Sequence, residues 1–266
     1  MTKTATPWHA RLALILALLL PLYFAASALG TKFGIWSWQF GLGTMLFQWA
    51  PFVIGAVALV AIISLIVCLV KPPRDGWGKA LLALVVPAVI VGAVMNIQSK
   101  AADIPAIHDV TTSPDNPPQF SDGWIQRRAN AGDTNPLLDY AEPLSQSEMY
   151  QGERFGELGP KTLAEINAES YGDLAPLPIG NSTPAQAQEA VLAAMRSMGA
   201  TETDTVGSMV FGTFTTFWYG FEDDVVARIE DGQIDFRSVS RVGISDLGKN
   251  AERIRELRAA TEARLR

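Results

Sequence analysis

Three long stretches without charge dominate the first hundred positions, and beyond them the pattern breaks into short amphipathic elements. Leu12–Leu29 is uncharged and, at ~1.5 Å per helical residue, about as long as one bilayer crossing. Leu46–Val70 and Ala80–Ile97 are two further stretches of this kind. Pro87 lies inside the third, where membrane helices tolerate proline better than soluble ones. Ala88 and Gly92, four positions apart, either let a neighbouring helix approach closely or reflect ordinary apolar composition. Ala26-Ser27-Ala28 imitates a cleavage site, but the preceding apolar core exceeds the ~7–15 residues of a signal peptide, so the segment reads as a span. The loop Thr31–Met45 carries Phe33, Trp36, Trp38 and Phe40, with Trp49 starting the next span. Such rings favour the headgroup zone, so they read as interfacial anchors, with a quinone-type or lipid pocket as the alternative.

From Ala101 to about position 170, seven prolines (Pro105, Pro114, Pro117, Pro118, Pro136, Pro143 and Pro160) interrupt any period. The segment is expected to be an extended connector over the domain surface, with a short helix near Leu163–Ala168. Residues 171–266 then read as an α+β domain. Thr183, Pro184 and Gln186 form a capping box and first turn, and Ala187, Ala190, Val191, Ala194, Met195 and Met198 supply one apolar helical face. Gly199 ends that helix. Val206–Thr216, Asp223–Ile229 and Gln233–Val242 are rich in β-branched and aromatic residues and predict strands. A final helix is expected from about Leu247 to Ala263, with Ile254 and Leu257 inward and Arg253, Arg255 and Arg258 largely outward. The expected architecture is thus a three-helix transmembrane segment (1–100), a connector (101–170) and a two-layer α+β domain with an antiparallel sheet (171–266).

Asp231-Gly232 predicts a two-residue hairpin turn, and the turn sets a register. If Glu230 opposes Gln233, then Ile229 faces Ile234, Ala227 faces Phe236, Val225 faces Ser238 and Asp223 faces Ser240. Side chains alternate between faces, so these positions share the core face. Arg228 against Asp235 and Glu222 against Arg241, with Asp224 diagonal to Arg237, would occupy the other. Opposed charges of that kind are expected on a solvated face, each pair contributing ~0.2–1 kcal/mol.

Charge divides the chain. Up to Lys100 there are seven Lys/Arg and one acid, Asp75; taking these from totals of 21 and 27 leaves 14 basic and 26 acidic residues in 101–266. So acidic a half repels nucleic acid and anionic headgroups, which excludes a DNA- or RNA-binding role. Lys3 and Arg11 before the first span, and Lys71, Arg74 and Lys79 after the second, outnumber Lys32 in the intervening loop. The positive-inside rule then sets both richer flanks in the cytoplasm and the C-terminal half outside, as for a bacterial inner-membrane protein with a periplasmic domain. Lys100 argues weakly the other way. Cys68 is the single cysteine and His9 and His108 the only histidines, so no cysteine- or histidine-based metal site is expected, and no cofactor motif is present.

The polar residues that end the core face of the hairpin suggest one candidate site. Asp223, Ser238 and Ser240 lie toward the last helix, which opens with Ser245, Asp246 and Asn250 and has free backbone N–H groups for an anion or a capping side chain. His108 is a further contributor. These groups either satisfy one another or await a ligand. The run Phe221–Val226, then Asp235-Phe236-Arg237-Ser238-Val239-Ser240-Arg241-Val242-Gly243-Ile244-Ser245-Asp246-Leu247-Gly248-Lys249-Asn250 with Arg253-Ile254, resembles domain-of-unknown-function family 1499. Ile107–Thr112 and Pro117–Phe120 resemble that family's opening segment. The resemblance spans most of 104–258 and implies a domain with no assigned activity, in proteins that can carry a leading membrane segment. Ile244 departs from a polar or basic position, and the insertion around Asp122–Pro160 is long. Two function classes follow: a membrane-tethered binding or scaffolding module, whose partners are the bilayer and an envelope protein or small ligand, or a hydrolase-like enzyme. The second needs a serine within hydrogen-bond reach of an oriented base, drawn from His108, Asp223 or Asp246.

Overall fold

The computed structural model describes residues 6–132 and 134–266; Lys3 of the orientation argument lies outside them. The chain forms two compact units, Met1–Ala101 with Phe217–Gly220, and Ala102–Thr216 with Phe221–Arg266.

In the first unit, three helices among the described residues are long and apolar enough to cross a membrane: Trp8–Lys32, Gln39–Val70 and Trp77–Ala101. The first is α1 and the third α3; the second opens as a π-helix, Gln39–Trp49, and continues as α2, Ala50–Val70. All three are longer than their uncharged stretches because the flanking residues continue the backbone hydrogen bonding. The loop expected over Thr31–Met45 is correspondingly short. Its aromatic residues stack edge-to-face, Trp36 on Phe40 at 5.8 Å and Phe40 on Trp49 at 5.7 Å. Trp36 lies so close to Gly30 that a Cβ there would come within 2.1 Å of the indole. Helix contact runs through small residues, with Ala13 and Ala17 of α1, Ala61 of α2 and Ala83 of α3 all buried. In lipid such residues permit the close backbone approach from which packing energy comes. Ala88 and Gly92 are exposed, with open space around Gly92, which favours ordinary apolar composition over a helix contact there.

The second unit is built on a six-stranded antiparallel sheet among the described residues. Its strands are β1 (Asp109–Thr111), β2 (Leu177–Pro178), β3 (Glu202–Val206), β4 (Met209–Thr215), β5 (Glu222–Glu230) and β6 (Gln233–Ser240). The order is β1-β6-β5-β4-β3, and β2 pairs with β6 beside β1. The β5–β6 register runs from Asp223–Ser240 to Glu230–Gln233, as the hairpin turn requires, and Asp231 and Gly232 both have positive φ. Helix α6 (Pro184–Ser197) carries the expected Thr183–Gln186 capping box. With α7 (Lys249–Leu265) it contributes Ala187, Val191, Met195, Ile254 and Leu257 to the same buried cluster as Val225, Ala227, Ile229, Ile234 and Phe236.

Two expectations need correction. Residues 101–170 are more than an extended surface path. They include β1, α4 (Asp122–Asn130) and α5 (Leu163–Ser170), and Ile107, Val110, Tyr140, Leu144, Tyr150, Phe155, Leu163 and Ile166 enter the main core. The prolines break long helices there, but they do not prevent burial. The second sheet face is also not solvated: Asp224 is 0 % exposed, Arg237 1 % and Asp235 2 %. Phe120 and Trp124 pack there on Phe211, Val226 and Val239. Arg237 grips Asp109 with two hydrogen bonds, of 3.0 and 2.7 Å, and Tyr140 donates to the same carboxylate at 2.7 Å. Asp224, expected to lie diagonal to Arg237 on a solvated face, accepts instead from both Arg241 and Arg128 and from Thr213. Glu222 is paired with Arg241 as expected.

Burial changes the expected mutational pattern. On a solvated face Arg228→Ala would be nearly neutral; here Arg228 donates to Asp235 at 2.7 Å and to the Asn116 carbonyl at 2.9 Å. Removing one partner of a buried pair costs ~3–5 kcal/mol, the same range as truncating a core aromatic such as Phe236. Chemical unfolding of the detergent-solubilised chain should therefore give comparable losses for Arg237→Ala, Arg228→Ala and Phe236→Ala. An Arg237→Ala loss below ~1 kcal/mol would contradict the buried pair.

Candidate functional site

The polar end of the β5–β6 core face meets the start of α7, and Asn250 is its hub. Ser238 donates to the side-chain oxygen Oδ1 of Asn250 at 2.6 Å, while the Asn250 side-chain amide nitrogen donates to Ser240 Oγ at 3.0 Å and to the His108 main-chain oxygen at 2.9 Å. Arg253 donates to Ser238, to Asn250 and, at 2.6 Å, to Asp223. The sequence pattern set Arg253 outward with Arg255 and Arg258. In the structure its side chain turns back over the sheet edge, because Asp223 offers a buried countercharge one turn from the helix start. Arg255 does face outward and pairs with Asp173.

Asp246 caps α7. Its carboxylate accepts from the N–H of Gly248 at 2.8 Å and of Asn250 at 2.6 Å. Leu247 and Gly248 both have positive φ, so the helix begins at Lys249 rather than near Leu247. Burial pushes the Asp246 carboxyl up, against the lowering effect of those two N–H groups. Ser245 accepts the Leu247 N–H at 3.2 Å, a bond within its own turn. The cluster thus brings together Asp223, Ser238, Ser240 and Asn250, with Asp246 bonded to the backbone at the start of α7, and leaves Ser245 at its margin.

His108 joins through its backbone, not its ring. Its main chain also accepts from Ser240 N at 2.9 Å, while Nδ1 lies 3.0 Å from the Tyr150 hydroxyl and Nε2 3.4 Å from the Pro136 carbonyl. The ring stacks on Tyr150 at 6.1 Å. The imidazole therefore does not stand as a base to any of the three serines. Burial holds the His108 pKa below its usual value, outweighing the nearby Asp109. Among the described residues, no group of three or more His, Cys, Asp or Glu side chains is arranged to hold a metal ion.

A second feature was not legible in the sequence. Beside the Arg237–Asp109 pair lies a groove of about 460 Å³, lined by two segments of the chain, one with Pro114, Asp115 and Pro117 and one with Leu137, Asp139 and Tyr140. Tyr140 is held by its bond to Asp109 and by Arg237, which lies 5.0 Å from its ring. The only sequence signal is the proline spacing at 114 and 117, which keeps the first segment extended. The second lies some twenty residues on, and no local pattern announces it.

Two measurements probe this chemistry. A depressed histidine pKa contributes stability that is complete above the unfolded value, ~6.5, and is lost as pH falls through the folded value. Thermal unfolding of the detergent-solubilised chain should therefore occur at lower temperature at pH 5 than at pH 7.5. In His108→Gln the His108 part of that change should vanish; an unchanged slope would show that the imidazole carries no such linkage. Asn250→Ala leaves Ser238, Ser240 and Arg253 without their shared partner. It should destabilise the chain by ~1–3 kcal/mol, the cost of unsatisfied buried polar groups, in the same unfolding assay.

No curated protein and no solved structure matches this chain. The model of one family, described as a protein of unknown function (DUF1499), matches residues 109–261, from β1 through most of α7. The match takes in both the Asn250 cluster and the buried ion pairs, and covers more than half of the sequence. This chain belongs to the DUF1499 family.

Proposed function

We propose that the chain is a membrane-tethered binding or scaffolding module of the cell envelope, anchored by its three apolar helices with the family domain facing away from the cytoplasm. The observation that carries the reading is the contrast within the family domain. The clustered hydroxyls and carboxylates are engaged with one another, while the groove between Pro114 and Tyr140 is open. A pre-formed recess with mixed polar and apolar lining suits recognition without chemistry. Asp115 and Asp139 at its walls, in a half of the chain rich in acids, favour a neutral or basic occupant, either a segment of an envelope protein or a small ligand. Arg11 on one flank and Lys71, Arg74 and Lys79 on the other support the orientation, which for a bacterium is an inner-membrane anchor and a periplasmic domain.

Reporter enzymes fused after Gly180 test the topology. Activity is expected only for the reporter that works outside the cytoplasm, and a cytoplasmic signal would reverse the orientation. The groove is tested by crosslinking in intact cells. Asp115→Arg combined with Ala141→Trp fills and recharges it, and crosslinked partner should fall about tenfold, or ~1.4 kcal/mol, with stability held within ~0.5 kcal/mol. Undiminished crosslinking in that variant would remove the groove from the proposal.

A further inference from the structure

The turn between β4 and β5 is chemically unlike its surroundings. Phe217, Trp218 and Tyr219 follow one another and Gly220 closes the turn, and these four residues belong to the compact unit of the apolar helices. Phe217 is 71 % exposed and Trp218 56 %, their rings edge-to-face at 5.2 Å. Three contacts set the turn's level along α1. The Tyr219 hydroxyl lies 3.1 Å from Ser27 Oγ. Lys32 Nζ donates to the Phe217 carbonyl at 2.6 Å and sits 4.5 Å from the centre of its ring. Gly220, at φ +69°, lies where a Cβ would press to 3.2 Å from Lys32 Cγ.

Ser27 precedes the helix end at Lys32 by five residues, about 7–8 Å along the axis. It also lies within the uncharged stretch Leu12–Leu29. A hydroxyl that reaches Ser27 is therefore already below the level at which α1 leaves the hydrocarbon, and the two exposed rings sit at the boundary. Trp36, Phe40 and Trp49 gather in the same unit, and Trp36 Nε1 donates to the Ser27 carbonyl at 3.2 Å. Lys32 completes the pattern, its stem along apolar surface and its ammonium at the polar edge. Trp and Tyr, with an apolar body and a polar edge, are the side chains that settle at this depth.

We propose that the β4–β5 turn is a membrane anchor, with Phe217 and Trp218 inserted among the headgroups of the leaflet where α1 ends. The partner is the lipid surface itself. The inserted side chains are uncharged, so the contact is apolar and insensitive to salt. This rests on α1–α3 being membrane spans and is independent of what the family domain binds.

Site-directed spin labelling of the full chain in vesicles of phosphatidylethanolamine and phosphatidylglycerol tests it. In a Cys68→Ala background, single cysteines replace Phe217 or Trp218 in separate variants, so that each leaves the other ring in place. Ile63→Cys in α2 and Ile125→Cys in α4 serve as references, both native side chains being exposed. The labels at 217 and 218 should collide preferentially with oxygen over a water-soluble nickel complex, at a depth about 5–10 Å into the headgroup and acyl boundary. The Ile63 label should lie in hydrocarbon and the Ile125 label in water. If both turn labels are as open to nickel as the Ile125 label while the Ile63 label stays in hydrocarbon, the anchor is refuted and the spans stand. If the Ile63 label is also aqueous, the spans fail and the anchor with them.

Discussion

The sheet of the family domain carries arginines and carboxylates on a face that is sealed from water, and most of the second unit is arranged to make that tolerable. A buried guanidinium or carboxylate is costly unless paired and fully hydrogen-bonded. Arg237 meets Asp109 through two parallel bonds and has the Pro118 carbonyl for a further donor. Asp224 receives Arg241 through both oxygens, with Arg128 and Thr213 filling the remaining lone pairs. Burial alone would push the Asp224 carboxyl up, but those donors outweigh it and hold the carboxyl below its ordinary range. Its charge is thus part of the fold.

That constraint accounts for the long segment ahead of α6. Arg128 comes from α4, Asp109 from β1 and Tyr140 from the stretch after α4, so the pairs cannot be completed without it. The same segment brings Phe120 and Trp124 onto the sheet, where they exclude the water that would otherwise screen the charges. Asn135 then ties the segment to the end of β6 by donating to the Ser240 and Gly243 carbonyls. Ser240 is also a member of the Asn250 cluster, so the two faces of the sheet are coupled through one residue. The groove is a by-product of this cover, lying where two extended stretches cross the ion pairs without closing on each other.

The first unit follows different rules: its three helices are apolar enough to cross a membrane, and lipid would supply no hydrophobic drive between them. Small side chains along α1, α2 and α3 bring the backbones together, and the large aliphatic ones face outward. Polar groups within it are paired locally. Ser27 donates to the Gly41 carbonyl at 2.7 Å, and Tyr23 to the Met45 carbonyl at 2.7 Å. His9 lies 2.8 Å from Ser64.

Local order was largely legible in the sequence. Uncharged length announced the three helices, the Thr183 capping box and Gly199 bounded α6, and Asp231-Gly232 set every pairing of the β5–β6 hairpin. These features depend on near neighbours, whose separation along the chain is also their separation in space. The family resemblance was legible for a similar reason, since it rests on the contiguous run through β6 into α7. The hairpin register also said which side chains share a face, but not what lies over that face. Asp109 and Arg237, 128 positions apart, meet only because β1 docks on β6, and Arg253 turns inward only because Asp223 is already there. Whether a charged residue faces water or a buried partner is decided by the element packed above it. That element was a proline-broken segment without period, so its burial was settled by tertiary packing alone.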